Sequence, residues 1–239
     1  MLQSELLFDG KEKRIYSTED PDVVLIHYKD VATAFGGIKM AVLKNKGIYN
    51  CQISSMVFDR LSKGGIRTHY IRTMGEREQL CHRIEIIPLQ VVVRNRLAGT
   101  TARMLGVENG TRIPNTVIEL RYNCDELKDP RINDHHAVAL GIVTYDELDH
   151  IYSLARKVNG ILCEFFHEAG IELIDFKMEV GRASDGQIIV SDEISPDNSR
   201  LWDEQTGRIL DKDRFRHDLS DVCASYKEVM DRLKKVSEK

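Results

Sequence analysis

Apolar positions along this chain follow two rhythms. Leu6-Leu7-Phe8, then Asp9-Gly10, then Arg14-Ile15-Tyr16 reads as a β-hairpin around a tight turn. Val23 to Tyr28 is a third strand, set off by Asp20-Pro21-Asp22. Ile53, Val57 and Leu61 stand at helical spacing ahead of Gly64-Gly65, which predicts a helix over 46–63. Residues 84–96 return to strand, and 100–105 form a short helix stopped by Gly106. The longest amphipathic stripe is Leu148, Ile151, Leu154, Val158, Ile161, Leu162 and Phe165, and it predicts a helix over 145–169. Thr144 and Glu147 form its capping box, and Gly170 supplies the stop. Strands are expected over 171–180 and 187–193. A last helix near 218–236 carries Leu219, Val222, Tyr226, Val229 and Leu233. The sum is an α+β chain of two lobes, residues 1–87 and 88–239.

Composition narrows the class. Hydrophobic residues make up 42% of 239, enough for a core, and 34 basic against 38 acidic side chains leave a net charge of −4. That balance excludes a disordered chain and argues against a dedicated nucleic-acid binder, which carries a basic excess. The strongest apolar run, Leu89-Gln90-Val91-Val92-Val93, is strand-sized, so no membrane span is expected. The stretch from Met1 to Asp9 has acids among its apolar residues and lacks a basic leader, so it does not read as a signal peptide. Cys51, Cys81, Cys124, Cys163 and Cys223 lie far apart with no Cys-x-x-Cys, which fits reduced thiols in a cytoplasm.

The most informative segment is Asp175-Phe176-Lys177-Met178-Glu179. Strand alternation puts Asp175, Lys177 and Glu179 on one face, with Phe176, Met178 and Val180 on the core face. Asp185-Gly186 signals a two-residue hairpin turn, which pairs Ser184 with Gln187, Glu179 with Asp192 and Lys177 with Ile194. Opposed carboxylates roughly 5 Å apart repel unless a cation lies between them. Mg²⁺ suits such a pair, because it takes one or two carboxylates and completes its shell with phosphate oxygens and water. Separately solvated charges on an exposed strand are the alternative.

Three stretches are candidates for anion contact. Gly10-Lys11-Glu12-Lys13 joins a tight glycine turn to two lysines, although it lacks the spacing of a Walker motif. Arg94 and Arg96 share a strand face just before Gly99 and Thr100 open the short helix, an arrangement suited to a phosphomonoester. Ser195-Pro196-Asp197-Asn198-Ser199-Arg200 would bring Arg200 near the acidic pair, or form a polar loop anchored by Trp202. Asp211-Lys212-Asp213-Arg214-Phe215-Arg216 reads on composition as a solvated helix entry. His135-His136 reads as a solvated loop pair.

Taken together and in order, Gly10–Tyr16, Val93–Thr100, Asp175–Glu179 and Ser191–Asp203 resemble the SAICAR synthetase family over nearly the whole chain. The resemblance implies an ATP-grasp-like fold whose N-terminal lobe is similar to the small lobe of protein kinases. It implies an ATP-dependent ligase of purine biosynthesis, joining the carboxylate of carboxyaminoimidazole ribonucleotide (CAIR) to the amine of L-aspartate through an acyl phosphate. Carried onto this chain, it has Glu179 and Asp192 hold Mg²⁺ and Lys11 and Lys13, with Glu12 between them, face the ATP phosphates. Lys177 and Asp175 are its catalytic residues: Lys177 steadies the transferring group and Asp175 orients the substrate. Ile15, Leu25 and Ile86 receive adenine. Arg94, Thr100 and Arg200 bind the ribonucleotide phosphate, and Arg216 with Lys212 a substrate carboxylate or phosphate. The family also implies a cytoplasmic homodimer with no nucleic-acid or membrane partner. Glu12 stands where the family often has a small residue, Asn123 where many members have lysine, and Thr100 where serine is common. The loop Ala34-Phe35-Gly36-Gly37 matches only approximately. Two rivals are a kinase-like phosphotransferase acting on a small phosphorylated substrate and a nucleotide-sensing module without turnover.

Overall fold

Two antiparallel sheets and a helical layer make up the computed structural model, which describes residues 5–238; Met1–Ser4 of the stretch read for a leader lie outside them. The first sheet takes β1 (Leu6–Asp9), β2 (Lys13–Ser17), β3 (Val23–Tyr28), β6 (Tyr70–Thr73) and β7 (Glu78–His82) in the order β1-β2-β3-β7-β6. A separate hairpin, β4 (Val31–Ala34) with β5 (Lys39–Val42), and helix α1 (Lys46–Lys63) intervene after β3. The second sheet has the order β10-β9-β8-β11-β12. It is built from β8 (Glu85–Leu97), β9 (Thr111–Tyr122), β10 (Arg131–Ile132), β11 (Ile171–Arg182) and β12 (Ile188–Ser191), with β13 (Ser199–Asp203) also on β11. Helices α2 (Gly99–Leu105), α3 (Asp134–Ala139), α4 (Tyr145–Glu168), α5 (Asp213–Arg216) and α6 (Val222–Ser237) complete the chain. Among the described residues no helix is long and apolar enough to cross a membrane.

Strand alternation divides the second sheet into a core face and a cleft face. Ile87, Leu89, Val91 and Val93 of β8 join Phe176, Met178 and Val180 of β11 in the main core. Their neighbours Gln90, Val92 and Arg94, and Asp175, Lys177 and Glu179, line a cleft on the other face. The capping box of α4 is formed, and its apolar stripe packs on β11 and on α1.

Helix α1 joins the two sheets. Ile53, Val57, Phe58 and Leu61 enter the main core, while Cys51 packs with Val24, Ile26 and Tyr28 of β3. Its own N-cap residue, Asn45, makes no capping bond. The cap comes instead from Asp30, whose carboxylate accepts the N–H groups of Gly47 (2.9 Å) and Asn45 (3.2 Å). An anion at a helix N-terminus satisfies free donors and complements the helix dipole.

Several expectations shift. The last helix begins at Val222, because Asp218 and Asp221 adopt left-handed φ values of 56° and 61° and leave Leu219 exposed. The strand expected over 187–193 ends at Ser191, where Asp192 takes φ 63° and leaves the ladder. Ser199–Asp203, for which a polar loop is one expectation, forms strand β13. The segment before α5 is not a solvated entry: Asp211, Lys212 and Asp213 are all buried. His136 closes a capping box with Asn133 at α3, and His135 meets the Tyr145 hydroxyl.

Gly47 is where α1 crosses the end of β3 most closely. A Cβ there would lie 2.5 Å from the Tyr28 carbonyl oxygen and 2.9 Å from that of Lys29. Both are backbone atoms, so Gly47→Ala forces α1 away from the sheet and costs about 1–3 kcal/mol by overpacking. Urea unfolding of the two proteins measures the cost, and equal midpoints would show that the crossing yields freely.

Candidate functional site

The cleft is organised by the way β11 is paired. One edge runs along β8, with Asp175 opposite Arg94, Lys177 opposite Val92 and Glu179 opposite Gln90. The other edge takes β13 as far as Phe176 and β12 from Glu179 onward. Between them the chain from Asp192 to Asn198 crosses in front of Lys177, whose N–H donates to the Asn198 carbonyl (2.8 Å). The break in pairing therefore gathers Lys177, Glu179, Asp192, Glu193 and Asp197 in one place.

The register differs from the expected one by a residue. Glu179 lies opposite Ser191, and Lys177 is not opposite Ile194. The cause is the turn. Ala183 pairs with Gln187 through a 2.9 Å bond, Gly186 donates to the Ala183 carbonyl (2.8 Å), and Gly186 has φ 80°. Three residues form the loop rather than two, with glycine in the left-handed position that such loops require. Strand pairing alone would thus separate the acidic pair. The left-handed turn at Asp192 keeps its carboxylate in the same cleft as Glu179.

Lysines hold these acids. Lys13 contacts Asp192, lies 3.1 Å from Glu193 and sits over the Tyr28 ring. Lys177 donates to Glu179 at 2.9 Å. Burial disfavours the Lys13 ammonium, but Asp192 and Glu193 outweigh it and hold its pKa well above the usual lysine range. Burial, then the Asp192 charge, raises the Glu179 pKa against the pull of Lys177. Asp192 is lowered, because Lys13 and Lys177 overcome its burial.

A second cluster lies behind the glycine turn. Glu12 Oε1 accepts the Thr33 N–H (3.1 Å), the Thr33 hydroxyl (2.9 Å) and the Lys212 ammonium (2.6 Å). Lys46 pairs with Asp197, which also accepts the Tyr226 hydroxyl at 2.8 Å. The lysines pull the Asp197 pKa far down despite burial. Glu193, Glu12 and Asp197 offer oxygens that all lie within 4.8 Å of one another.

The third cluster is a guanidinium network. Asp175 accepts from Arg94 (2.9 Å) and Arg200 (2.8 Å), and Arg94 also reaches Glu119 at 3.1 Å. Asp213 accepts from the Arg200 Nε (2.7 Å) and pairs with Arg216. Gly99 permits the approach of Arg200: at φ 59°, its Cβ would fall 2.4 Å from Nη2. Thr100 follows at the start of α2, its hydroxyl accepting from Arg103 (3.1 Å). Arg96 belongs elsewhere, in a two-point pair with Glu172.

The predicted residues divide accordingly. Lys11, Glu12, Lys13, Arg94, Asp175, Lys177, Glu179, Asp192, Arg200, Lys212 and Arg216 all line the one cleft. Lys11 is at its rim, paired with Asp125 at 2.8 Å. Ile15 and Leu25 cannot grip the same ring. Leu25 is opposite Tyr16, one position from Ile15, and so faces the other side of the sheet. Val24, packed with Ile26, is on Ile15's side. Ile86 stands half-exposed where the chain passes from the first sheet to the second. The structure adds Glu193, Asp197, Asp213 and Lys46, to which the sequence pattern assigns no role. Lys46 did carry a signal, since a cation in the first turn of a helix opposes the helix dipole and needs an acid from elsewhere.

Comparison with known proteins places the chain. Residues 6–233 match the SAICAR synthetase family model. The chain is 51% identical to the phosphoribosylaminoimidazole-succinocarboxamide synthase of Clostridium acetobutylicum over 98% of its own length and 99% of that protein's. The Fusobacterium nucleatum enzyme is 49% identical, covering 98% of both. The crystal structure of the Ehrlichia chaffeensis synthase superposes with a TM-score of 0.94 at 41% identity, over 96% of this chain and 98% of that one. A SAICAR synthetase in complex with ADP gives 0.92 at 42%, over 96% and 97%.

Asp211 braces the guanidinium network from behind. It is fully buried and accepts the N–H groups of Leu201 and Asp213, both at 2.8 Å. Burial and the Asp213 charge push its pKa up to about 7. A folded-state pKa raised above the unfolded one gives stability that is full below the unfolded value and declines as pH rises to the folded one. Between about pH 4 and 7 the native protein should therefore lose stability relative to Asp211→Asn. Paired melts at pH 5 and 7.5 test this, and a constant difference would mean that Asp211 does not titrate in that window.

Proposed function

The chain belongs to the SAICAR synthetase family, and from that premise we propose that it is an ATP-dependent carboxylate–amine ligase. It joins CAIR to L-aspartate and yields SAICAR, ADP and phosphate in de novo purine biosynthesis. The observation that carries the reading is the family match over residues 6–233, taken together with the charged cleft where β12 gives way to β13 along β11. We read residues 1–87 as the nucleotide-binding lobe, similar to the small lobe of protein kinases, and 88–239 as the catalytic lobe of an ATP-grasp-like fold. Adenine would rest on Ile15, Val24 and Ile86.

A carboxylate is a poor electrophile. Its oxygen first attacks the γ-phosphorus of ATP, giving an acyl phosphate and ADP. The aspartate amine then attacks the acyl carbon and phosphate leaves. Such a sequence needs positioned reactants and neutralised charge. Lys11 and Lys13 would neutralise the nucleotide phosphates, and Lys177 would steady the group in transfer. Arg94, Arg200 and Thr100 would take the ribonucleotide phosphate. Asp175, already bound to both arginines, acts by setting their positions. Lys212 and Arg216 would take a carboxylate of the amine substrate.

Charge balance supports a divalent ion. The cleft is lined by eight cationic side chains and eight carboxylates. The two numbers are equal, so a triphosphate and a ribonucleotide phosphate bring negative charge beyond the net charge of the lining, even with its lysines and arginines turned toward them. Glu179 and Asp192 offer the hard oxygen donors that Mg²⁺ prefers, and would hold it. When bound, the ion supplies charge neutralisation at the nucleotide's phosphates. The free cysteines fit a cytoplasmic chain. The exposed row of Ile38, Met40 and Val42 supports self-association as a homodimer.

The test is an assay with ATP, Mg²⁺, CAIR and L-aspartate. ADP release and amide product should both require L-aspartate for sustained turnover. ADP release without amide would favour a phosphotransferase. For Asp192→Asn, activity should fall by about two orders of magnitude or more, or the Mg²⁺ requirement should rise sharply. An unchanged rate and Mg²⁺ dependence would remove Asp192 from the ion's shell.

A further inference from the structure

Glu12 does something other than face a nucleotide. Its Oε1 is occupied by three donors, two from Thr33 and one from Lys212. Together with Lys46, Lys212 and Asp197 it forms a quartet of two cations and two anions that cancel. The four members are not equally anchored. The side chains of Lys46, Lys212 and Asp197 are 1%, 7% and 3% exposed, while that of Glu12 is 17% exposed and lies on the cleft side. Lys46 and Asp197 keep each other, and Asp197 keeps the Tyr226 hydroxyl, without Glu12. Among the described residues, the Lys212 ammonium has only a 3.8 Å approach to Asp197 besides its bond to Glu12. Glu12 also sits on the β1–β2 turn, outside the hydrophobic clusters.

We propose that Glu12 is a specificity-determining residue, a tethered carboxylate that occupies Lys212 until a carboxylate of the amine substrate replaces it. The inference rests on the reading of Lys212 as a substrate-carboxylate ligand. Exchange of one carboxylate for another conserves charge at a buried ammonium, whereas a neutral amine would leave either Lys212 unpaired or Glu12 in place. The first strands a buried charge, and the second leaves the subsite already filled. The site therefore accepts an amine bearing a carboxylate and resists one without it. Its affinity for that carboxylate is set by competition with Glu12 at a high local concentration.

The experiment is a double-mutant cycle on Glu12 and Lys212 in the full-length protein, with separate saturation curves for L-aspartate and ATP. Glu12→Gln keeps the size and the bonds to Thr33 but drops the ion pair. It should lower the KM for L-aspartate about fivefold or more, with the KM for ATP within twofold of wild type. Lys212→Gln should raise the KM for L-aspartate about tenfold, and in that background Glu12→Gln should bring no gain. Equilibrium binding of succinate, a dicarboxylate without the amine, should tighten in Glu12→Gln in parallel, a readout independent of turnover. If Lys212→Gln leaves the aspartate KM unchanged, the assignment of Lys212 fails and the proposal with it. If Lys212→Gln weakens aspartate but Glu12→Gln leaves that KM unchanged or raises both KM values, Glu12 serves only to hold the turn, and the proposal alone is overturned.

Discussion

A single strand with an interrupted edge organises this protein. β11 pairs with β8 from Asp175 to Arg182, with one register shift between Glu179 and Val180, but its other edge is shared by β13 and then β12. A chain that leaves one ladder and enters another must cross the strand between them. Here that crossing carries Asp192, Glu193 and Asp197 past Lys177 and Glu179. The core face of the same strand is apolar and fully packed, so the cleft face cannot shift without repacking Phe176, Met178 and Val180. Rigidity on one side gives position on the other.

Electrostatic balance is the second constraint. Burying a carboxylate or an ammonium is costly unless it meets an opposite charge. The cleft meets that demand internally, through Lys13 with Asp192 and Glu193, Lys177 with Glu179, and two arginines on Asp175. A folded protein with so many charges close together is stable because they cancel. The same cancellation means that anionic substrates have to bring or recruit positive charge, or displace a carboxylate already present. A divalent ion and a displaceable Glu12 are two answers to one requirement.

The supporting elements serve the same end. Asp30 caps α1 from outside the helix and thereby fixes Lys46 at the back of the cleft. Asp211 ties β13 to the segment that bears Lys212 and Asp213. Gly99 leaves room for the guanidinium of Arg200. Each is a polar or steric detail away from the reacting atoms, and each determines where a charged side chain can stand.

Local pattern alone determined much of this. Apolar spacing located α1 and α4, and the capping box at Thr144 marked where α4 starts. Alternation assigned Asp175, Lys177 and Glu179 to one face and their neighbours to the core, because strand geometry leaves no other choice. The motifs Gly10–Lys13, Val93–Thr100 and Ser191–Asp203 were enough to mark the family. What only the tertiary structure decided was how those pieces face one another. A three-residue turn moved the β11–β12 register by one, and a left-handed Asp192 returned its carboxylate to the cleft. The partners of Glu12, Lys46, Asp197 and Asp213 come from elements far apart in the chain, and residue type and spacing carry no record of such long-range pairing. The segment before α5 looked solvated because its residues are charged. It is buried because Lys212 and Asp213 meet opposite charges, and Asp211 two backbone N–H donors, only once the chain has folded.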